Sequence, residues 1–408
     1  MSVPEWAKEL IVLYKSGAAN QFILHGNVHD RIFIRDNGGD SGSLGSLDEY
    51  LKEVLLGSYD VVLTYDLANG LRVVKGKDRY HNRGTSTERR PLPSDPREAI
   101  HEITKFMRYV AYLLVNTKKI NIRVAVILKG AHLVIPSLRG GLNYDLNAMA
   151  QQIRDWARET LILEHDISSF LITENLNDLH SLTVNNPRVA HVHVPLPTAE
   201  ELEDVFGAIS DKYPTAMGNY LPDKFTNPSR QLTGATLSAI ESLLKRKEHE
   251  KETITDRDLA DLKKELVEKD CQDLIEFIEP DRTLDDVYGQ EAIKEWLRQD
   301  IELWRQNDLD AMPMGYLLCG PVGTGKTYMV ECLAGEAGVP VVKFKNFRDR
   351  WVGSTEGNLE KIFSLLGALG RCFVFIDEAD QALGSRDAGS GDSGVSGRVY
   401  SMMAKQNR

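Results

Sequence analysis

The 408 residues are 42% hydrophobic and 27% charged, a composition that excludes disorder throughout and collagen-like repetition and suits about two to three globular domains. Lys and Arg number 49 against 60 Asp and Glu, a formal net charge of −11, which opposes the basic footprint of a chain that works mainly through phosphate contacts to nucleic acid. The four cysteines, Cys271, Cys319, Cys332 and Cys372, form no Cys-x-x-Cys pair, so they read as reduced thiols of a cytosol-like compartment rather than as a disulfide framework.

In chain order, MSVPEWAKELIVLYKSG carries Glu5, Lys8, Glu9 and Lys15 among its apolar positions. It predicts a short amphipathic helix, not a secretory signal. No apolar run approaches the roughly 18 residues needed to cross a bilayer, so the expectation is a soluble protein with no membrane partner. Short apolar, β-branched runs follow at 22–26, 60–66, 123–129, 168–173 and 191–197, separated by helical patterns, which predicts a parallel sheet covered on both faces. Two polar stretches interrupt it. DNGGDSGSLGSL (36–47) predicts a mobile surface loop, and residues 75–96 read as a polar insertion.

After Pro197 the pattern is helical only, with Thr255 as the expected N-cap of a helix whose Leu259, Leu262 and Leu266 share one face. KRKEHEKE (245–252) reads as a solvated helix face. Strands are expected again at 314–320, 339–345 and 371–377. The predicted organisation is an α/β module over 1–197, a small helical domain over 198–270, a linker over 271–284 and a second α/β module over 285–408. YLLCG aligns with FILHG, and VFIDEAD with VILKGAH, a weak internal repeat that suggests two copies of one unit.

The strongest chemical signal is GPVGTGKT: Gly320, Pro321, Val322, Gly323, Thr324, Gly325, Lys326 and Thr327, with Tyr328 opening the helical pattern behind it. This is the P-loop spacing. Its glycines let the backbone wrap a phosphate, and the N–H groups at the helix start face the anion. Lys326 would reach the β- and γ-phosphates, and the Thr327 hydroxyl would ligate Mg²⁺. A second apolar run, FVFIDEAD, ends in adjacent carboxylates. Asp377 is suited to hold the metal and Glu378 to orient the attacking water.

These two motifs together resemble the AAA+ ATPases, and three further stretches match that family. DDVYGQEAIKEWL resembles the segment that brackets the adenine, which implies Val287, Tyr288 and Gly289 beside the base. FRDRWVGSTEGNLEKIF resembles the pore loop in which an aromatic grips an extended polypeptide, which implies that role for Trp351 with Val352 and Gly353. RVAHVHVPLPTAEEL resembles the strand leading into a helical lid. The whole chain is similar to tandem AAA proteins of cyanobacteria and chloroplasts. The fold so implied is α/β, two tandem P-loop NTPase-like modules with parallel sheets flanked by helices, the first followed by a small helical lid. The resemblance also implies ATP and Mg²⁺ as cofactors, self-association into a ring, a hexamer in full-length form, a protein substrate, and a cytoplasmic or stroma-like compartment.

The chain departs from the family in two places. In the first half HGNVHDR (25–31) replaces the phosphate loop, and Lys129 and Gly130 stand where Asp377 and Glu378 stand in the second; a lysine in the metal position inverts the charge. Module one is expected neither to hydrolyse nor to bind nucleotide tightly, with Asn175 and Arg188 left near the family's sensor and inter-subunit positions. In the second half the equivalent of Asn175 would fall beyond Arg408, which suggests an incomplete module; RDAGSGDSGVSGR (386–398), with Arg398, reads as a loop. His191 and His193 share a strand face without a further ligand in view, and the basic residues of 75–90 are offset by Asp78 and Glu88. The expected function is Mg²⁺-dependent ATP hydrolysis that drives remodelling of a protein. A non-hydrolysing ATP switch and, less favoured, a nucleic-acid motor are the alternatives.

Overall fold

The computed structural model describes residues 3–35, 42–81, 91–117, 122–137, 143–218, 220, 225–255, 257–259, 261–262, 265, 275–278, 280–305, 313, 315–321, 323–339, 341–344, 366 and 372–376. The chain divides into two units, one of Met1–Ser229 with Thr236–Thr253, the other of Arg230–Ala235 with Ile254–Arg408.

The first unit is built on strands β1 (Gln21–Gly26), β4 (Val61–Asp66), β5 (Gly70–Lys75), β6 (Val124–Leu128), β7 (Ile167–Ile172) and β8 (Val189–Val194), in the order β5-β4-β6-β7-β1-β8. All neighbours run parallel except β4 and β5. Both faces are covered, so the strands are apolar at successive positions and alternate between two cores. Ile23, Leu63, Val126 and Leu171 point to the side of the Pro96–Thr117 and Tyr144–Asp155 helices. Phe22, Leu24, Val62, Ile127 and Phe170 point to the side of the Glu5–Lys15 helix. The amphipathic N-terminal helix is therefore present, with Trp6, Ala7 and Leu10 buried.

Two polar stretches hold more structure than their composition suggests. Inside the Gly/Ser/Asp run, β3 (Gly42–Gly45) pairs antiparallel with β2 (Ile32–Arg35); residues 36–41 lie outside the described set. Gly42 is required there, because a Cβ would meet the Phe33 ring at 2.5 Å. Within 75–96 the helix Lys77–His81 buries Tyr80; just before it lies edge strand β5, whose Leu71 and Val73 are buried while Arg72 and Val74 are exposed. Thr255 caps as expected: its hydroxyl accepts from the Asp258 N–H (3.4 Å), and its own N–H donates to the Asp258 carboxylate (2.9 Å).

One buried carboxylate ties the helical part of the first unit to its sheet. Asp30, 6% exposed, lies just after β1. Its oxygens accept from the N–H groups of Leu237 (2.8 Å) and Ser238 (2.9 Å) and from the Ser238 hydroxyl (2.7 Å), the first turn of the Leu237–Glu250 helix. Asn27 Nδ2 (3.1 Å) and the Arg31 N–H (2.7 Å) complete its shell, and Thr236 accepts from the third N–H of that helix, on Ala239. The first-turn donors are thus satisfied, and a negative charge sits where the helix dipole favours it.

The second unit carries a three-stranded sheet: β9 (Ile275–Ile278) antiparallel to β10 (Val341–Phe344), which runs parallel to β11 (Phe373–Ile376). Strand β9 falls within the stretch read as a linker. The strand expected over 314–320 does not pair: residues 315–320 join no sheet among the described residues, both edges of β10 are occupied, and Leu317 and Leu318 stay exposed. A core of Leu284, Val287, Leu297, Ile301, Met329, Cys332 and Leu333 joins the Glu291–Arg305 and Lys326–Ala337 helices.

Asp30→Ala is expected to destabilise the first unit by about 2–4 kcal/mol, since it removes an N-cap acceptor and strands buried donors; thermal unfolding followed by circular dichroism checks this. A second outcome concerns pH. His25 in β1 lies opposite His193 in β8, with ring centroids 5.1 Å apart. Burial, then the charges of His193 and His191, push the His25 pKa down to about 4, and burial lowers His193 too. The unfolded chain therefore takes up these protons first, so their contribution is intact above about pH 6.5 and is lost as pH falls from there toward about 4. The unfolding temperature is expected to drop between pH 7 and 5, and His25→Gln should flatten that slope.

Candidate active site

The loop at Gly320–Thr327 is shaped by backbone requirements. Gly325 occupies the N-cap of the Lys326–Ala337 helix with φ +81°, and Gly323 has φ +83°; both values lie in the left-handed region open to glycine. The Thr324 hydroxyl donates to the Pro321 carbonyl at 2.9 Å and closes the turn. Lys326 folds back over the loop, its ammonium donating to the carbonyls of Gly320 (2.9 Å) and Pro321 (2.8 Å). Thr327 and Tyr328 follow in the first helical turn, whose N–H groups have no acceptor within the helix. Val322 lies outside the described residues.

The segment that precedes the Glu291–Arg305 helix is held against this P-loop helix. A Cβ on Gly335 would stand 1.8 Å from the Arg282 carbonyl, so only glycine lets the two backbones approach so closely. Tyr328 donates from its hydroxyl to the Asp286 carbonyl (3.2 Å), with the Arg282 guanidinium 5.2 Å from its ring centroid. Glu336 accepts from the Leu284 N–H (3.3 Å) and from Arg298 (3.3 Å), which also pairs with Asp285 (2.6 Å). The 6%-exposed Lys294 donates to the Val287 carbonyl at 2.7 Å and pairs with Glu291. Val287 is thereby pinned, while Tyr288 is fully exposed and Gly289 has φ +73°. Lys294, Arg298 and Glu336 do not stand out in the sequence; the i, i+3 spacing of Glu291 and Lys294 is the one local signal.

The structure thus brings together Gly320, Pro321, Gly323, Thr324, Gly325, Lys326, Thr327 and Tyr328, with Val287, Tyr288 and Gly289 on the segment packed against the same helix. Asp377 and Glu378, like Trp351, Val352 and Gly353, lie outside the described residues; β11 ends at Ile376, the residue before Asp377.

The corresponding positions of the first unit are closed by the protein's own charges. Lys129, directly after β6, pairs with Asp48 (2.5 Å), which also holds Lys52 (2.8 Å). Burial opposes ionisation of Asp48, but hydrogen bonds from Lys129, Lys52 and Ser46 outweigh it and hold the carboxyl well below its ordinary value. Asn175 donates to Asp178 (3.0 Å). Asp30 and Asp48 carry no signal in the sequence because their decisive partners are remote along the chain.

Comparison with known proteins finds two family matches along the chain. Residues 1–195 match the family described as AAA+ chaperone, N-terminal Rossmann-like domain, and residues 316–407 match the ATPase family associated with various cellular activities. Both matched stretches thus resemble AAA families. The chain is 23% identical to the uncharacterized AAA domain-containing protein ycf46 of Guillardia theta over 76% of this chain and 58% of that protein. It is 36% identical to the ATP-dependent zinc metalloprotease FtsH 1 of Salinibacter ruber, and 37% to that of Thermomicrobium roseum, over 28% of this chain and 18% and 19% of those proteins. The chain therefore spans just over half the length of the first of these relatives and under a fifth of the other two. No described helix is long and apolar enough to cross a membrane.

Gly335→Ala is expected to force the P-loop helix off the Arg282 backbone and cost about 1–3 kcal/mol, read as a lower unfolding midpoint for the second unit in urea.

Proposed function

We propose that the second unit of this chain binds ATP with Mg²⁺ and hydrolyses it, and that in a ring assembly, a hexamer by family resemblance, the hydrolysis drives remodelling of a protein substrate. The observation that carries this reading is the loop itself: two left-handed glycines lead into the unpaired N–H groups of a helix start, with the Lys326 ammonium drawn over the same loop. Such a site offers an anion backbone donors, the positive helix end and a cation together. Similarity to proteins named ATP-dependent supports it.

The donor set fits the proposed cofactors. Lys326 would hold the terminal phosphates, and Thr327 and Asp377 offer a hydroxyl and a carboxylate, the hard oxygen ligands that Mg²⁺ takes. The metal would neutralise charge on the phosphates. Glu378 would orient the attacking water and accept its proton, Val287 to Gly289 would bracket the base, and Trp351 with Val352 and Gly353 would grip the substrate. The proposed organisation is a degenerate module over 1–197, a helical lid over 198–270, a connecting stretch over 271–284 and the ATPase core over 285–408. In the degenerate module Lys129, which stands where the second has Asp377, is paired with Asp48, an arrangement that disfavours a metal there.

Equilibrium dialysis with MgATP is expected to give one nucleotide per chain. Lys326→Ala should weaken binding by about 100-fold or more, the loss of a charge-assisted contact with the phosphates. Glu378→Gln should keep binding and lose turnover in single-turnover assays. Normal turnover in that variant removes Glu378 from its role; tight binding without turnover in the unaltered chain establishes the switch reading instead.

A further inference from the structure

The first unit keeps a cavity where α/β proteins bind ligands, although its phosphate chemistry is gone. In the order β5-β4-β6-β7-β1-β8 the chain leaves β1 for β4 on one side, while β8 adds to its other side. The strand order reverses at β1, and the crevice outside the carboxyl ends of strands at such a reversal is the usual ligand position. A cavity of about 440 Å³ opens there, lined by residues that follow β1 and by Val194 and Pro195 at the end of β8. That volume lies within the range of small-molecule sites.

The walls say which chemistry fits. Phe33, half-buried, supplies an aromatic face, and the edges of Trp6 and Tyr50, which pack on each other with centroids 5.4 Å apart, close the wall behind it. Glu53, Glu201 and Asp204 stand around it. Arg31, 3.9 Å from Glu241, and Arg35 also line it, two cations against three carboxylates. Asp204 is half-buried, burial raises its pKa, and among the described residues its carboxylate has no hydrogen-bond or ion-pair partner. An anionic ligand is repelled, because the carboxylates of Glu53, Glu201 and Asp204 outnumber the two arginines of the lining. Aromatic faces beside an excess of carboxylates instead attract a cation with a flat body.

We infer that this cavity is a binding site for a flat, phosphate-free aromatic cation about the size of a nucleoside, held against Phe33 with its positive group on Asp204. The site is separate from the proposed ATP site and belongs to the other unit.

The test uses the whole chain and two dyes of similar size and opposite charge, the cation thioflavin T and the anion anilinonaphthalene sulfonate, in equilibrium fluorescence titrations with and without saturating MgATP. Thioflavin T is expected to bind saturably, at least about tenfold more tightly than the sulfonate, and to be unaffected by MgATP. Asp204→Asn should weaken it about tenfold, the loss of one charge-assisted contact. Val54→Trp, at a cavity-lining position that is 43% exposed, should block it sterically. Equal affinity for the two dyes, or thioflavin T binding unchanged in Asp204→Asn, overturns the proposal. Should Val54→Trp fail to fold by circular dichroism, Asp204→Asn alone decides.

Discussion

Asp30 is the residue on which the organisation of the first unit turns. A carboxylate that is 6% exposed is costly to bury unless its hydrogen bonds are met, and here they are met by backbone donors of the Leu237–Glu250 helix together with Asn27, Arg31 and Ser238. The helix start needs an anion and the carboxylate needs donors, so each removes the other's desolvation cost. The contact joins residues 207 positions apart and fixes the helical segment at the carboxyl end of β1, where it helps wall the cavity.

The two units meet one physical demand in different ways. A helix start presents partial positive charge and unpaired N–H groups. In the second unit no side chain caps the helix start: Gly325 stands at the N-cap, and Lys326 rests on the neutral carbonyls of Gly320 and Pro321. In the first, carboxylates built into the chain satisfy the cations and donors, through Asp30 on one helix and Asp48 on Lys129. In the first unit, then, the charges at these two places are met from within the chain.

What could be read in the sequence follows the range of the interactions. GPVGTGKT is contiguous, and its meaning depends on local backbone geometry, so the residues alone make it legible. The parallel strands are legible because burial on both faces makes them apolar at every position, as β6 is from Val124 to Leu128. Edge elements are not: β5 alternates, β3 is half glycine, and β9 is four residues within a charged stretch. The apolar run at 314–320 misleads in the opposite sense, since composition alone does not supply a pairing partner. Asp30 has no local signature at all, because its helix partners are brought to it only by the fold.

Residues at strand ends, rather than strand order, therefore carry the difference in chemistry within this chain. In the first unit β1 lies between β7 and β8 with its end directed at a crevice, a framework that imposes a location for ligands but not their charge. Charge is decided by a few side chains beyond the last hydrogen-bonded pair. Lys129 after β6 answers to Asp48, and the crevice beyond β1 is left with Glu53, Glu201 and Asp204 around an aromatic wall. The crevice of the first unit is thus lined by more carboxylates than arginines, whereas the loop of the second carries the Lys326 ammonium over neutral carbonyls.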